Sequence, residues 1–360
     1  MKIGIDARPL CVPMFGIGRY TLCLFEQLLK NTDITWYLYA DRPLLYKFEN
    51  DNVVVREYPS HKRLLSLYRT QIPFAKWAKE DKLDLFWSPR HHLPLWMDDS
   101  IKTVLTIHDL VWQKFPETML PENLFVEKLL MRRSAEKADA VIAVSDSTRS
   151  DICLSYPHLE NKVKVIHAAI NHSDGGEESP CEVPYFLCVG TLEPRKNLVN
   201  SIAAFKQYRA AGGNRHLVII GGLGWKLKDV SEKLSTDDVE DYIHLLGRVD
   251  DELLMRYYKF ADVFLFPSLY EGFGLPALEA MQFAVPVISS NCSSLPEVVG
   301  EGGILIDPLS VDDISEAMIK LTEDEKLREE LGQKALIQSK KFSWENAAEQ
   351  TLATFRACFS

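Results

Sequence analysis

Apolar residues in this chain gather in short dense runs, and most of the stretches between them have helical spacing. In the first half the runs are "KIGID" (2–6), "ITWYLYA" (34–40), "VVVREY" (53–58), "DLFWS" (84–88), "KTVLTIH" (102–108), "AVIAVS" (140–145) and "KVKVIH" (162–167). Helical patterns fall over 18–30, 64–80 and 122–138. From residue 185 the alternation restarts with "YFLCVG", "HLVIIGG", "YIHLLG", "DVFLFP", "PVISS" and "ILID". Strands apolar on both faces and joined by helical crossovers predict parallel sheets covered on both sides. The expected class is α/β, with two doubly wound, Rossmann-like domains.

The polar segment "AINHSDGGEESPCEVP" (169–184) contains Gly and Pro and reads as a linker between a domain at 1–168 and another at 185–341. The tail at 342–360 has Ser343 as a helix N-cap and an apolar helical stripe that needs a surface, for which the first domain is the expectation. Two open sheets of this kind leave a cleft at the carboxyl ends of their strands, where ligands of the class bind. Functional residues are therefore expected just after strands.

Composition narrows the field. The chain has 360 residues and a formal charge of −10, unevenly spread. Residues 1–170 hold 23 Lys and Arg against 21 Asp and Glu, and the remainder holds 18 against 30. An acidic chain is not expected to bind nucleic acid, and the more basic first half suits an anionic surface. Seven scattered cysteines without a C-x-x-C pair fit a reducing cytoplasm, not a disulfide scaffold. No apolar run approaches the roughly 20 residues of a membrane span, and nothing at Met1 resembles a signal peptide.

The stretch "VFLFPSLYEGFGLPALEAMQFAVPVISS" (263–290) places Glu271 in a strand-to-helix loop and Glu279 in the helix that follows, which is expected to run to about Phe283. Gly274 and its neighbour Gly272 let backbone N–H groups approach a ligand, and a helix start favours an anion. A carboxylate such as Glu279 can accept from both hydroxyls of a vicinal diol, as a ribose offers. The alternative is that Glu279 only caps its own helix. In "VGTLEPRKN" (189–197), Arg195 and Lys196 follow a strand beside Gly190 and suit a diphosphate. A solvated pair at a helix start is the plainer alternative, disfavoured by the dipole. "LGRVDDELL" puts Arg248 and Val249 after a strand and Asp250 at an N-cap. In "TIHDLVW", His108 and Asp109 follow a first-domain strand; a sugar hydroxyl, a reacting oxygen and a packed core are all open readings of His108. "MFGIGRYT" opens a helix at Gly16 without completing a dinucleotide fingerprint, and "IIGGLG" (219–224) is equally weak. There is no D-x-D triplet, H-E-x-x-H, G-x-S-x-G or Walker A loop, so a departing diphosphate is expected to meet protein cations and not a bound metal.

Together "EGFGLPALE" (an E-x7-E motif), "GTLEPRKN", "GRV", "GIGRY" and "HDLVW" resemble the retaining sugar-nucleotide glycosyltransferases of family 4, which have the GT-B fold, over essentially the whole chain. The resemblance implies that Glu279 binds the nucleotide ribose and Glu271 a hydroxyl of the donor sugar. Lys196, with Arg195 near it, holds the diphosphate, and Gly190 lies beside them. Backbone groups of Phe273, Gly274 and Leu275 meet phosphate or sugar, Arg248 and Val249 the base, His108 the transferred sugar, and Gly16 the phosphates. Thr191 departs from many relatives, which have Arg there. Either Arg195 replaces that cation or the diphosphate is held by one charge fewer.

The implied reaction is hexose transfer with retained configuration by front-face attack, without a metal. The pattern looks most like bacterial mannosyltransferases of lipopolysaccharide or polysaccharide synthesis, implying GDP-mannose as donor and a lipid-linked oligosaccharide or polysaccharide as acceptor. The basic, aromatic run "HKRLLSLYRTQIPFAKWAK" (61–79) is a candidate for peripheral contact with the cytoplasmic face of a membrane, or a helix packed on its sheet. Alternatives are a UDP-sugar donor, an epimerase or phosphorylase of the same fold, and a non-catalytic nucleotide-sugar-binding subunit. A dehydrogenase lacks its glycine fingerprint here.

Overall fold

The structure is a computed structural model that describes residues 1–12, 16–58, 66–171, 173–222 and 240–360. The chain forms two compact units. One comprises Met1–Ala169 with Ser343–Ser360, the other Ile170–Phe342.

The first unit is built on a seven-stranded, all-parallel sheet. Its strands are β1 (Lys2–Asp6), β2 (Thr35–Ala40), β3 (Val53–Glu57), β4 (Leu85–Ser88), β5 (Lys102–Ile107), β6 (Ala140–Ala143) and β7 (Val163–Val165), in the order β3-β2-β1-β4-β5-β6-β7. The order reverses between β1 and β4, which pair Ile3 with Leu85 and Ile5 with Trp87. Alternate strand residues supply opposite faces. On one face Phe86, Leu105 and Val141 pack with Phe74, Met131 and Ile152 from helices. On the other, the helices Ile17–Leu28 and Trp344–Ala357 pack together, with Tyr20 against Trp344 and Phe355 against Trp87. The tail helix is capped by Ser343 Oγ, which accepts from Asn346 N at 3.2 Å.

The pattern over 64–80 resolves differently from the single helix expected. Two helices, Ser66–Gln71 and Pro73–Asp81, meet at Ile72, because Pro73 has no N–H to continue the first one. The stretch 59–65, and with it the start of the basic run, lies outside the described residues.

The second unit has six parallel strands, β8 (Tyr185–Val189), β9 (His216–Ile220), β10 (Ile243–Gly247), β11 (Val263–Phe266), β12 (Val287–Ser290) and β13 (Gly303–Ile306), in the order β10-β9-β8-β11-β12-β13. The reversal here lies between β8 and β11. Phe186 and Cys188 pack with Ile202, Phe205 and Met318 on one face, and Tyr185 and Leu187 with Tyr258, Ala277 and Met281 on the other. Cover on both faces explains why β8, β9, β11 and β12 read as unbroken apolar runs, while the edge strands β10 and β13 are partly exposed. Part of the polar segment after Ile170 is fastened to this unit. Ser173 N donates to Gln282 Oε1 at 3.1 Å, and Lys259 Nζ donates to Asp174 O at 2.8 Å. The glycine-rich residues 223–224 lie outside the described residues.

Candidate functional site

In the second unit the loops after β8 and β11 flank the reversal point and carry the residues singled out in the sequence. Lys196 Nζ donates to Glu271 Oε1 at 2.6 Å, and Arg195 Nη1 lies 2.9 Å from Glu271 Oε2. Arg195 also donates to the Tyr270 carbonyl and pairs with Glu193. The ion-paired side chains are mostly buried, Lys196 being 13% and Glu271 10% exposed. Burial alone would raise the Glu271 carboxyl, but Arg195 and Lys196 outweigh it and bring it down to about 2. Burial lowers the Lys196 ammonium, with Glu271 pulling the other way. Glu271 is therefore an anion whose two oxygens are each taken by a cation. The sequence patterns placed the cations and the carboxylate but not their contact across 75 residues.

Backbone geometry sets this cluster. Gly190 follows β8 at φ 151°, and a Cβ there would stand 3.2 Å from Lys196 Cε, so glycine gives the lysine stem its place. Asn197 holds the left-handed conformation (φ 58°) between the Pro194–Lys196 turn and the helix Leu198–Ala210. Its buried amide donates to Pro267 O at 3.0 Å and Pro308 O at 2.6 Å, tying the β8 loop to those after β11 and β13. Asn tolerates that conformation better than other L residues, a local signal for Asn197 that the motif reading passed over.

The β11 loop is pinned from the far side. Ser294 Oγ donates to Glu271 O at 3.0 Å and Phe273 O at 2.6 Å, and Ser293 Oγ accepts from Glu271 N at 3.1 Å. Gly274, at φ 115°, turns the chain into the helix Leu275–Met281, which ends two residues before the expected Phe283. Phe273 is buried against Phe342, and Leu275 is half-buried. Glu279 lies buried in that helix and accepts from Tyr258 Oη at 2.8 Å through Oε2. Its role is not that of an N-cap, since Gly274 occupies the cap. Arg248 is exposed beside Gly222, and Val249 packs on the core. Asp250 caps the next helix through Leu253 N at 2.8 Å.

The first unit places His108 directly after β5. Its Nε2 lies 2.9 Å from the Pro89 carbonyl, which can only accept, so Nε2 carries the proton and Nδ1 the lone pair. Burial, reinforced by His91, holds His108 down to about 3, so the ring is neutral near pH 7. The Tyr20 ring meets it edge-on at 4.7 Å. The His108 backbone N–H donates to His91 Nε2 at 3.1 Å, while Glu127 lies 3.4 Å from His91 Nδ1 and 3.1 Å from His92 Nε2. His91, His92 and Glu127 fall in no motif, and the sequence reading missed them. Gly16, at φ 45°, opens the helix Ile17–Leu28, and among the described residues nothing lies within 4 Å of where a Cβ would stand. Met14 and Phe15 of its motif lie outside the described residues.

Comparison with known proteins follows these units. The family model described as "Glycosyl transferases group 1" matches residues 173–337, and "Glycosyltransferase Family 4" matches residues 15–174. The O-antigen chain mannosyltransferase B of Escherichia coli is 32% identical, with 99% of this chain and 100% of that one aligned. The serotype-specific mannosyltransferase WbdA of Escherichia coli is 31% identical over 71% of this chain, which spans 33% of that longer protein. Sucrose-phosphate synthase from Thermosynechococcus elongatus has the same fold, with a TM-score of 0.76 at 20% identity and 99% of each chain covered. Anabaena HepE, solved with UDP and glucose, gives 0.70 at 19% identity, with 99% of this chain and 100% of that one covered. The fold is GT-B, with two Rossmann-like parallel-sheet domains.

Proposed function

The chain belongs to the family 4 glycosyltransferases, and on that footing we propose that it transfers mannose from GDP-mannose, with retention, to a lipid-linked saccharide. The observation that carries this reading is the Lys196–Glu271–Arg195 cluster at the reversal point of the six-stranded sheet. In the free enzyme Glu271 neutralises cations that a diphosphate would otherwise meet. On donor binding the diphosphate takes over Lys196 and Arg195, releasing Glu271 to accept from a hydroxyl of the sugar. Glu279, oriented by Tyr258, accepts from the ribose. Backbone groups at Phe273–Leu275 and the glycines Gly190 and Gly16 allow close approach to phosphate, and Arg248–Val249 adjoin the base.

His108 is neutral with its lone pair on Nδ1, which suits it to accept a hydrogen bond from a hydroxyl and unsuits it as a general acid. The acceptor hydroxyl attacks the anomeric carbon as the bond to the phosphate oxygen breaks. The departing phosphate takes the hydroxyl proton, and its growing charge meets Lys196 and Arg195. Two protein cations at that position support transfer without a metal.

The names of the relatives support mannose and an O-antigen-like acceptor. Among the described residues no helix is long and apolar enough to cross a membrane. Tyr68, Ile72 and Trp96 are exposed, and the exposed Lys76 and Lys79 are partnered by Glu80 and Asp98. Support for a cytoplasmic enzyme resting on an anionic membrane therefore comes from the exposed aromatic and aliphatic side chains and not from an uncompensated basic patch.

The test is a melting-temperature panel of GDP- and UDP-sugars, followed by transfer assays. GDP-mannose is expected to give the largest shift and transfer to a lipid-linked mannoside, and Lys196→Ala to abolish most turnover while the fold persists. A larger shift from a UDP-sugar overturns the donor assignment. Protection without transfer to any saccharide favours a binding subunit.

A further inference from the structure

The first unit has its own reversal point, between β1 and β4, and two arginines stand there. Arg8 lies two residues beyond the end of β1 and Arg90 two residues beyond the end of β4, the neighbouring strands that pair at this reversal. Open parallel sheets bind ligands at that place.

The ion pairs formed around it leave Arg90 out. Arg8 is gripped by Asp6 through Nε–Oδ1 at 2.8 Å and Nη2–Oδ2 at 2.5 Å. Asp41, beyond β2, is taken by Arg42 at 2.8 Å. Glu127 is shared by His91 and His92. These three carboxylates are the acidic groups whose charge reaches Arg90, and each already has a partner. Among the described residues, no hydrogen bond or ion pair is made by the Arg90 guanidinium. The like charge of Arg8, followed by burial, lowers Arg90 to about 10. A cation set beside another cation, without a counter-ion, costs stability in the free protein. An arriving anion offsets that cost, and a guanidinium fork matches two oxygens of a tetrahedral oxyanion.

We propose that Arg90, with Arg8 beside it, forms an oxyanion site at the carboxyl edge of the first unit's sheet and takes a phosphate group. The site itself stands apart from the transferase reading; only the source of the phosphate rests on it. That source is either the acceptor's phosphate ester or the donor's diphosphate, and the kinetic arm below separates them.

Arg90→Gln and Arg90→Lys are made in a Lys196→Ala background, which removes a principal cation of the second unit. Melting is followed in phosphate-free buffer and against inorganic phosphate, with ionic strength held by chloride. Without phosphate, Arg90→Gln is expected to melt at or above its parent, because a like-charge contact is gone. Phosphate raises the melting temperature of the parent, by less than half as much in Arg90→Gln, and by an intermediate amount in Arg90→Lys. A parent with no phosphate shift, or a shift that survives intact in Arg90→Gln, overturns the proposal. So does an Arg90→Gln chain that melts below its parent without phosphate, since Arg90 is then structural.

In the otherwise native enzyme, Arg90→Gln raises KM about 10- to 100-fold for the phosphate-bearing partner. A rise confined to a phosphate-bearing acceptor, with a neutral saccharide unaffected, assigns the acceptor; one confined to the nucleotide sugar assigns the donor. Equal loss on charged and neutral acceptors, with the nucleotide sugar's KM unchanged, removes the phosphate role. The melting arm needs no turnover, so its result is independent of whether mannose is transferred.

Discussion

Replacing Glu271 by Gln separates what the carboxylate does for the fold from what it withholds from a ligand. In the native chain its two oxygens hold Lys196 at 2.6 Å and Arg195 at 2.9 Å. Arg195 keeps Glu193 and the Tyr270 carbonyl after the change, whereas Lys196 loses its ion-pair partner. Breaking a buried pair from one side costs about 3–5 kcal/mol. Gln still offers one accepting oxygen and the side chains are slightly solvated, which reduces the loss to about 2–3 kcal/mol. For a unit of this size that is a fall of roughly 4–12 °C in melting temperature. A nucleoside diphosphate should act in the opposite sense. In the native protein it has to displace Glu271 from the cations; in the variant it meets them uncompensated, so GDP is expected to bind about tenfold tighter or better.

The assay is calorimetric melting of both proteins with and without GDP. Low pH supplies a control with a defined sign. Glu271 titrates at about 2 in the folded chain, below its ordinary 4.5. Its contribution is fully present above about 4.5 and fades as pH falls towards 2, so the two melting curves should converge there. A variant that melts within a degree of the native protein at neutral pH, or that gains less from GDP, refutes the account of Glu271 as an internal counter-ion.

Two further outcomes follow from the geometry. Tyr258→Phe removes the 2.8 Å bond to Glu279 and is expected to raise KM for the nucleotide sugar about 3- to 10-fold with kcat nearly unchanged; an unchanged KM with lower kcat would take Glu279 out of ground-state binding. His108 titrates at about 3 when folded against 6.5 ordinarily, so the unfolded chain takes up the proton first and the first unit loses stability as pH falls from 6.5 towards 3, by on the order of a few kcal/mol. Urea midpoints at pH 7.5 and 5 should show this decline and lose most of it in His108→Gln; an equal slope in both proteins would show that His108 is not held neutral.

The sheets were legible in the sequence because strands covered on both faces leave unbroken apolar runs, and each run from "KIGID" to "ILID" became a strand. The helix pattern over 64–80 was legible as a pattern but not as one element, since periodicity does not register the missing N–H of Pro73. At the site, Lys196, Arg195 and Glu271 could be singled out because each sits in a loop after a strand, and Glu279 because it lies in the helix that the Glu271 loop opens. Their partners could not. Tyr258 lies 21 residues from Glu279, and Ser294 lies 23 from the Glu271 carbonyl it holds. Those contacts arise only when successive βα units stack side by side, and no local period encodes that. The same blindness hid the pairing of the two cations with Glu271: adjacent Arg and Lys read as a demand for an external anion, and the internal one sits 75 residues away.

That pairing gives the reversal points a common logic. A site that must bind phosphate through dry, positioned cations has to keep them folded when no phosphate is present. In the second unit Glu271 lends its charge to Lys196 and Arg195, and on the proposed function a diphosphate takes its place. In the first, Asp6 does so for Arg8 alone, and Arg90 is left against its neighbour's charge. Arg90 is only half-buried, which keeps the cost of that arrangement small, and the cost is recovered whenever an anion arrives. An internal counter-ion weakens ligand affinity and protects the free fold; omitting it does the reverse. Glu271→Gln and Arg90→Gln therefore probe one trade-off from opposite sides. The first should lower the melting temperature of the free protein and tighten diphosphate binding, while the second should hold or raise it and weaken phosphate binding. A shared sign in both variants would mean that the balance of charge at these strand ends does not govern either site.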